Sequence, residues 1–373
     1  MDLHDQNFGI EIEMTGITRE QAAKITADYF GTRSTYEGTY YGVYAARDSR
    51  GRKWKFMSDG SIHTERKERG RIVRADNDYS VEMVSPICQY RDIETIQEIV
   101  RRLREAGAVS NKSCGIHIHV DASPFDAKAL RNIVNIIASK EDLLYKALRV
   151  EVDREYYCKK TDTRFLDDLN RRRPRTKEEV SRAWYGGSAR TGHYDESRYH
   201  CLNLHSVFTK GTVEFRLFNS EIQHAGKIKA YIQLCLAISA QALNQKSASH
   251  AKTQTTNEKY TFRTWLLRLG LIGDEFKTAR THLLEHLDGC IAWKDPAQAE
   301  RQKERLRQKR EKELAERRMR EGVPDPSRDS QRERHDQPEQ ASQPEPPARD
   351  AALLTQPEAE DTESPAFTMS ITM

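Results

Sequence analysis

Glu11 and Glu13 flank Ile12 in "FGIEIEM" (residues 8–14), and two later segments repeat that spacing: His117-Ile118-His119 in "GIHIHVD" and Glu214-Phe215-Arg216 in "TVEFRLFN". Side chains alternate across a strand, so each outer pair shares one face while Ile12, Ile118 and Phe215 point to the other. "YSVEMVSP" contributes Glu82, and Asp59 in "SDGSI" stands at a strand end. If these strands are neighbours, about 4.8 Å apart, then Glu11, Glu13, Glu82, His117 and Glu214 crowd together. Burying ionised carboxylates is costly unless a cation accompanies them. Oxygen-rich ligation with one imidazole suits Mg2+ or Mn2+ better than a structural zinc, which prefers Cys and more His.

A solvated face of an antiparallel sheet accounts for polar alternation in any one of these strands. Such faces are filled mostly with Thr, Ser, Lys and Gln. Here the pairs are all Glu, His or Arg, and their joint occurrence points to a site on one face and a core on the other.

The elements that must position these residues are legible along the chain. The first strand leads into "TREQAAKITADYFG", with Thr18 as a cap, Gln21 three residues on and Gly31 as a stop. Residues 36–62 read as a hairpin turning at Asp48-Ser49-Arg50-Gly51. "DIETIQEIVRRLREAG" places Ile93, Ile96, Ile99, Val100 and Leu103 on one helical face, with Gly107 as its stop. "GIHIHVD" is a strand followed by a helix to about residue 150, and residues 153–197 read as a charged insertion with helical pieces. "YHCLNLHSV" and "TVEFRLFN" read as two strands joined at Lys210-Gly211, before a helix over 226–244 and two short helices over 261–292. Residues 296–321 form a charged helix in which Leu306, Leu314 and Met319 are too sparse for a coiled-coil seam. Residues 323–365, rich in Pro, Gln, Glu and Ser, are expected to be disordered.

In this order and spacing, "FGIEIE", "DGSI" with "VEMVSPI", "CGIHIHVD", and "RYHCLNLHS" with "GTVEFRLFN" resemble the amidoligase family over about residues 7–245. That family is a branch of the carboxylate–amine ligases sharing a fold with glutamine synthetase and glutamate–cysteine ligase. The resemblance implies an α+β fold: a curved antiparallel sheet with helices packed on one face, over residues 1–292. The charged helix (293–322) and the tail (323–373) would follow it. It also implies that ATP converts a carboxylate into an acyl phosphate, which an amine attacks to give an amide. Glu11 and Glu13 would then bind two different metal ions, Glu82 joining Glu13 and His117 joining Glu11 and Glu214. His119 would lie near the nucleotide phosphates. Arg216 would meet the transferred phosphoryl group, and Arg198 and Asn203 would contact phosphate or carboxylate. The substrates would be an amino acid, a peptide or a protein side chain. Phosphoryl transfer needs charge neutralisation and in-line geometry, which metals and an arginine supply. With no Gly-rich Walker loop in the sequence, the nucleotide would be held by metals and side chains.

Two other readings compete. "HIH" with a later Glu also resembles the ligand set of cupin-type hydrolases and oxygenases, but Val120-Asp121-Ala122-Ser123 offers only Asp121 where that pattern needs a Glu. A nucleic-acid-binding protein using residues 296–321 and Arg171-Arg172-Arg173 would need stacking aromatics and a basic excess. The basic residues there are interspersed with Glu instead, and 61 basic against 57 acidic residues leave a net charge of only +4. The six cysteines form no CxxC pair, which fits a reduced cytoplasmic setting. Neither an export signal nor a run of about 18 apolar residues occurs, so no membrane is expected. Cys114 is read as a small buried hydrophobe, and His193, His200, His205 and His224 as neighbours of the site rather than its ligands.

Overall fold

A computed structural model describes residues 1–320 except Thr191, His193 and Tyr194. Strand β1 (Phe8–Met14) runs through a tight turn into helix α1 (Arg19–Phe30). The helix begins where expected: Thr18 Oγ1 accepts from Gln21 N at 3.2 Å, and Gln21 Oε1 accepts from Thr18 N at 2.9 Å. Gly31 ends it in the left-handed region, at φ +67°. Because this reciprocal pair satisfies two otherwise orphaned amides, Thr18→Ala should cost about 1 kcal/mol. Chemical denaturation reads the loss, and divalent-ion binding should not change.

Strands β2 (Thr35–Tyr36), β3 (Tyr44–Arg47) and β4 (Lys53–Met57) follow. The β3–β4 turn is held by Asp48 Oδ1, which accepts from Arg50 N at 2.9 Å and Arg52 N at 3.0 Å. A separate hairpin, β5 (Glu65–Glu68) and β6 (Arg71–Arg74), precedes β7 (Val81–Val84) and α2 (Ile93–Glu105). Then come β8 (Gly115–Asp121), α3 (Ala127–Leu148), α4 (Thr163–Arg172), α5 (Lys177–Tyr185), β9 (Leu202–Asn203), α6 (His205–Thr209) and β10 (Thr212–Asn219). Helices α7 (Ala225–Asn244), α8 (Glu258–Arg268), α9 (Lys277–Leu284) and α10 (Pro296–Arg320) complete the described chain.

Eight strands form one sheet in the order β2-β3-β4-β7-β1-β8-β10-β9, with antiparallel pairing throughout. The fold is α+β. The order is open, with β2 and β9 at the edges, rather than the closed barrel a cupin requires. Ile10, Ile12, Ile116, Ile118, Val213 and Phe215 are buried on the face that the helices cover. Helix α7 is buried nearly all round, as a helix enclosed by sheet and other helices must be. Its Tyr231 ring stacks on Phe218 at 4.5 Å between centroids.

Two local features depart from expectation. "YHCLNLHSV" is a strand only at Leu202–Asn203, and His205–Thr209 turns helical. Asn203 Oδ1 accepts from His205 N at 2.8 Å, a side-chain bond to the nearby backbone that competes with continued strand pairing. Strand β10 also carries a bulge: Phe215 faces Ile118 and Phe218 faces Ile116, so three steps on β10 span two on β8.

Residues 1–305 form one compact unit, and what is described of the second, residues 306–373, is the helical stretch to Arg320. The expectation for residues 323–373 lies outside the described residues. Among those described, no helix is long and apolar enough to cross a membrane.

Candidate active site

The register of the five strands β7-β1-β8-β10-β9 brings the chemistry-bearing side chains onto one face. Glu13 faces Glu82 and Glu11 faces His117. His119 faces Glu214, and Glu214 in turn faces Asn203. Residues directly opposite in an antiparallel pair point to the same side, so the row is continuous across the sheet. Glu13, His117, His119, Asn203, Glu214 and Arg216 are all buried.

The distances define a tight cluster. His117 Nδ1 lies 3.0 Å from Glu11 Oε2 and 4.0 Å from Glu214 Oε1, while its Nε2 lies 3.9 Å from Glu13 Oε1. His119 Nδ1 meets Thr212 Oγ1 at 2.9 Å. Its Nε2 is buried 3.3 Å from Glu11 Oε1 without a hydrogen-bond partner. Arg216 Nη1 donates to Glu214 Oε1 at 2.5 Å, and Asn203 Nδ2 and Ser206 Oγ each donate to Glu214 Oε2 at 2.7 Å. Glu13 Oε2 accepts from Gly115 N at 2.6 Å.

Protonation follows from this crowding. Burial pushes the Glu13 carboxyl up to about 7, with help from the Asp59 charge and against Arg154, Gly115 N–H and Arg216. Glu82 is driven well above the usual range by burial and by the charges of Glu11, Glu13 and Asp59. Burial works the same way on Glu11, but the His119 and His117 imidazoles outweigh it and hold that carboxyl well below its ordinary value. For Glu214, burial is outweighed by Arg216 and then by His119 and His117, and its carboxyl is held low. Burial and Arg216 push His117 down to about 4. His119 rises despite burial, because Glu11 and Glu214 face it. In the ion-free cluster, proton binding is thus favoured at Glu13, Glu82 and His119 relative to the free side chains.

Among the described residues two sets of three donors converge, the ligand atoms of each set lying within 4.8 Å of one another: Glu11, His117 and Glu214, and Glu13, Glu82 and His117. Their oxygen-rich chemistry fits a divalent cation of the Mg2+ or Mn2+ type. A neutral imidazole has a single lone pair, so His117 can serve one of the two ions.

Of the residues singled out from sequence, Glu11, Glu13, Glu82, His117, His119, Asn203, Glu214 and Arg216 are brought together. Arg198 closes the short turn Glu196–Arg198 before β9, with its guanidinium 5.8 Å from the Tyr199 ring centroid. His205 bonds Tyr185 Oη through Nδ1, and His200 Nδ1 donates to Ser197 O. His193 lies outside the described residues. Sequence reasoning missed Ser206, Thr212, Lys210 and Arg154. Ser206 was hidden in the segment read as strand, and Arg154 in the supposed insertion. Lys210 was visible only as a turn residue, yet its Nζ lies 3.7 Å from Glu11 Oε1.

Beside Glu11 and His119 opens a cleft of about 380 Å³. Gly9 leaves its floor bare: a Cβ there would stand 4.0 Å from His119 Cβ. Lys210 lines one side and Val84 and Pro86 the other.

A family model described as "Putative amidoligase enzyme" matches residues 4–239, and the chain belongs to this family. No curated protein matches it. A crystal structure of a bifunctional glutathione synthetase from Pasteurella multocida is similar over 76% of this chain and 48% of that one, at 12% identity and a TM-score of 0.33. The chain spans about half the length of that protein, and the likeness is too small to bear on fold or activity.

Proposed function

We propose that the protein is an ATP-dependent carboxylate–amine ligase that makes an amide through an acyl phosphate, on a catalytic domain of the glutamine synthetase and glutamate–cysteine ligase type. The observation that carries this reading is the single row of side chains from Glu82 to Arg216, half-buried at Glu11 and Glu82 and buried elsewhere, with two three-donor groups meeting at His117. Glu11, His117 and Glu214 would hold one divalent ion, and Glu13 and Glu82 another. Such ions supply charge neutralisation across the phosphate oxygens of ATP.

The protein's own groups do the rest. Arg216 is held in a fixed direction by Glu214, and its planar fork meets phosphoryl oxygens in pairs. His119 Nε2 stands 3.3 Å from Glu11 Oε1 and would donate to a phosphate oxygen. Lys210 stands over the cleft that would take the nucleotide, and Val84 and Pro86 offer apolar surface to its base. Asn203 and Ser206 fix the Glu214 carboxylate. The substrates are a carboxylate and an amine carried by an amino acid, a peptide or a protein side chain. Five of the six thiols are buried and all are unpaired, which suits the reducing, ATP-rich cytoplasm.

Calorimetry with ATP, with and without Mg2+ or Mn2+, tests the site before any substrate is known. Metal-dependent binding is expected, followed by ADP release when carboxylates and amines are supplied together. Binding that ignores the ion, or turnover without nucleotide, would refute the reading. Lys210→Ala should weaken ATP binding by up to about fivefold, the scale of one exposed charge contact. Affinity for Mn2+ alone should not fall, because the Lys210 ammonium opposes a cation near Glu11.

A further inference from the structure

Arg154 comes from the segment that sequence analysis set aside as an insertion, in the one-turn helix Val152–Arg154 after α3. It is 5% exposed. Its guanidinium occupies the space above Gly115: a Cβ built there would fall 2.2 Å from Nη2 and 2.8 Å from Cζ. Any larger residue at the head of β8 would collide with it.

We propose that Arg154 is a positioning residue of the site, a clamp that holds the β10 bulge in the form that aims Arg216 at the reacting groups, and that Gly115 is kept free of a side chain to admit it. Nη1 donates to Phe218 O and, at 3.3 Å, to Asn219 Oδ1, while Nη2 donates to Arg216 O at 3.3 Å. Two of those acceptors are carbonyls in and just beyond the stretch where the β8–β10 register shifts. A bulge takes backbone groups out of the ladder, and buried carbonyls need donors from elsewhere. A guanidinium, with its planar array of five N–H groups, can reach several at once.

The same segment also holds the Arg216 side chain, because Arg216 Nε donates to Tyr157 O at 3.5 Å. Gly115 closes the arrangement from the other side, since its N–H donates to Glu13 Oε2. One glycine therefore adjoins both the clamp and a proposed metal-binding carboxylate. Only the catalytic consequence of the clamp rests on the ligase reading.

Hydrogen exchange tests the clamp without reference to activity. In Arg154→Ala and Arg154→Lys, amides of residues 215–219 should exchange about tenfold faster, with those of α2 and α7 unchanged. Gly115→Ala should reproduce that pattern, and Gly115→Ala combined with Arg154→Ala should add nothing, because both remove one interaction. Millimolar guanidinium should restore protection to Arg154→Ala and not to Gly115→Ala, a result mere filling of space does not give. Unchanged exchange at 215–219, additive effects, or uniform loss of protection over the whole sheet would overturn the proposal. A separate arm follows ADP formation with Mn2+ and ATP. If the wild-type protein forms none, the ligase reading fails while the clamp is judged by exchange. If it does, Arg154→Lys should lower kcat about tenfold or more with KM for ATP within threefold. Wild-type kcat in a variant with loosened exchange would sever the clamp from catalysis.

Discussion

Arg216→Ala is expected to reduce ADP formation by about a thousandfold or more, the scale on which an arginine at a transferring phosphoryl group acts. The guanidinium is buried against Glu214, so the variant also loses stability. Removing one partner of a buried ion pair costs about 3–5 kcal/mol when the remaining charge is left bare. Glu214 is not left bare, because Asn203 and Ser206 still donate to Oε2, and the loss should fall toward the low end. Thermal melting and Mn2+ binding by paramagnetic resonance separate the two effects. Arg216→Lys keeps the charge without the planar fork, and should remain folded with activity down about a hundredfold on the same scale. Activity near wild type in a folded Arg216→Ala protein would remove Arg216 from the reaction.

Glu13→Gln should move function and stability in opposite directions. Without Glu13, the pairing with Glu82 loses one of two carboxylates, and divalent-ion affinity and ADP formation should fall by about a hundredfold or more, beyond the 10–100-fold typical for loss of a ligand's supporting partner. In chelator, the same change should stabilise the fold. The Glu13 carboxyl is raised from 4.5 to about 7 in the folded protein, so folding takes up a proton, and the stability this contributes is lost as pH rises through about 7. Glu82 and His119 are raised as well and act in the same sense. His117, lowered from 6.5 to about 4, opposes them, but only below 6.5. Above pH 6.5 the directions agree, and the metal-free protein should lose stability toward pH 8.

Between pH 6.5 and 8 the Glu13 share is about 1 kcal/mol, the tail of a larger loss that begins near pH 4.5. Glu13→Gln should flatten that slope, because Gln can still accept from Gly115 N without carrying charge. Saturating Mn2+ should flatten it in the wild-type protein. Melting curves at pH 6.5, 7.25 and 8, in chelator and in Mn2+, measure both effects. A wild-type slope of the opposite sign would mean that the carboxylates do not crowd as the register places them.

Local sequence determined a good deal. The two-residue period decided that Glu11 shares a face with Glu13, His117 with His119 and Glu214 with Arg216, because neighbouring Cβ atoms on a strand point to opposite sides. Thr18, Gln21 and Gly31 set the ends of α1, and the apolar stripe from Ile93 to Leu103 set the buried side of α2. Each is a contact between residues a few positions apart, readable in one window.

The tertiary structure alone decided which strands are neighbours and in what register. Glu13 faces Glu82, 69 positions away, and His119 faces Glu214 across 95. Pairings so distant depend on how all the helices cover the opposite face, and a slip of one residue would turn an entire row of ligands into the core. The β10 bulge, the helical turn at His205 and the approach of Arg154 to Gly115 belong to the same level. A bulge answers to its partner strand, and a glycine's lack of a side chain acquires meaning only when something fills the space above it.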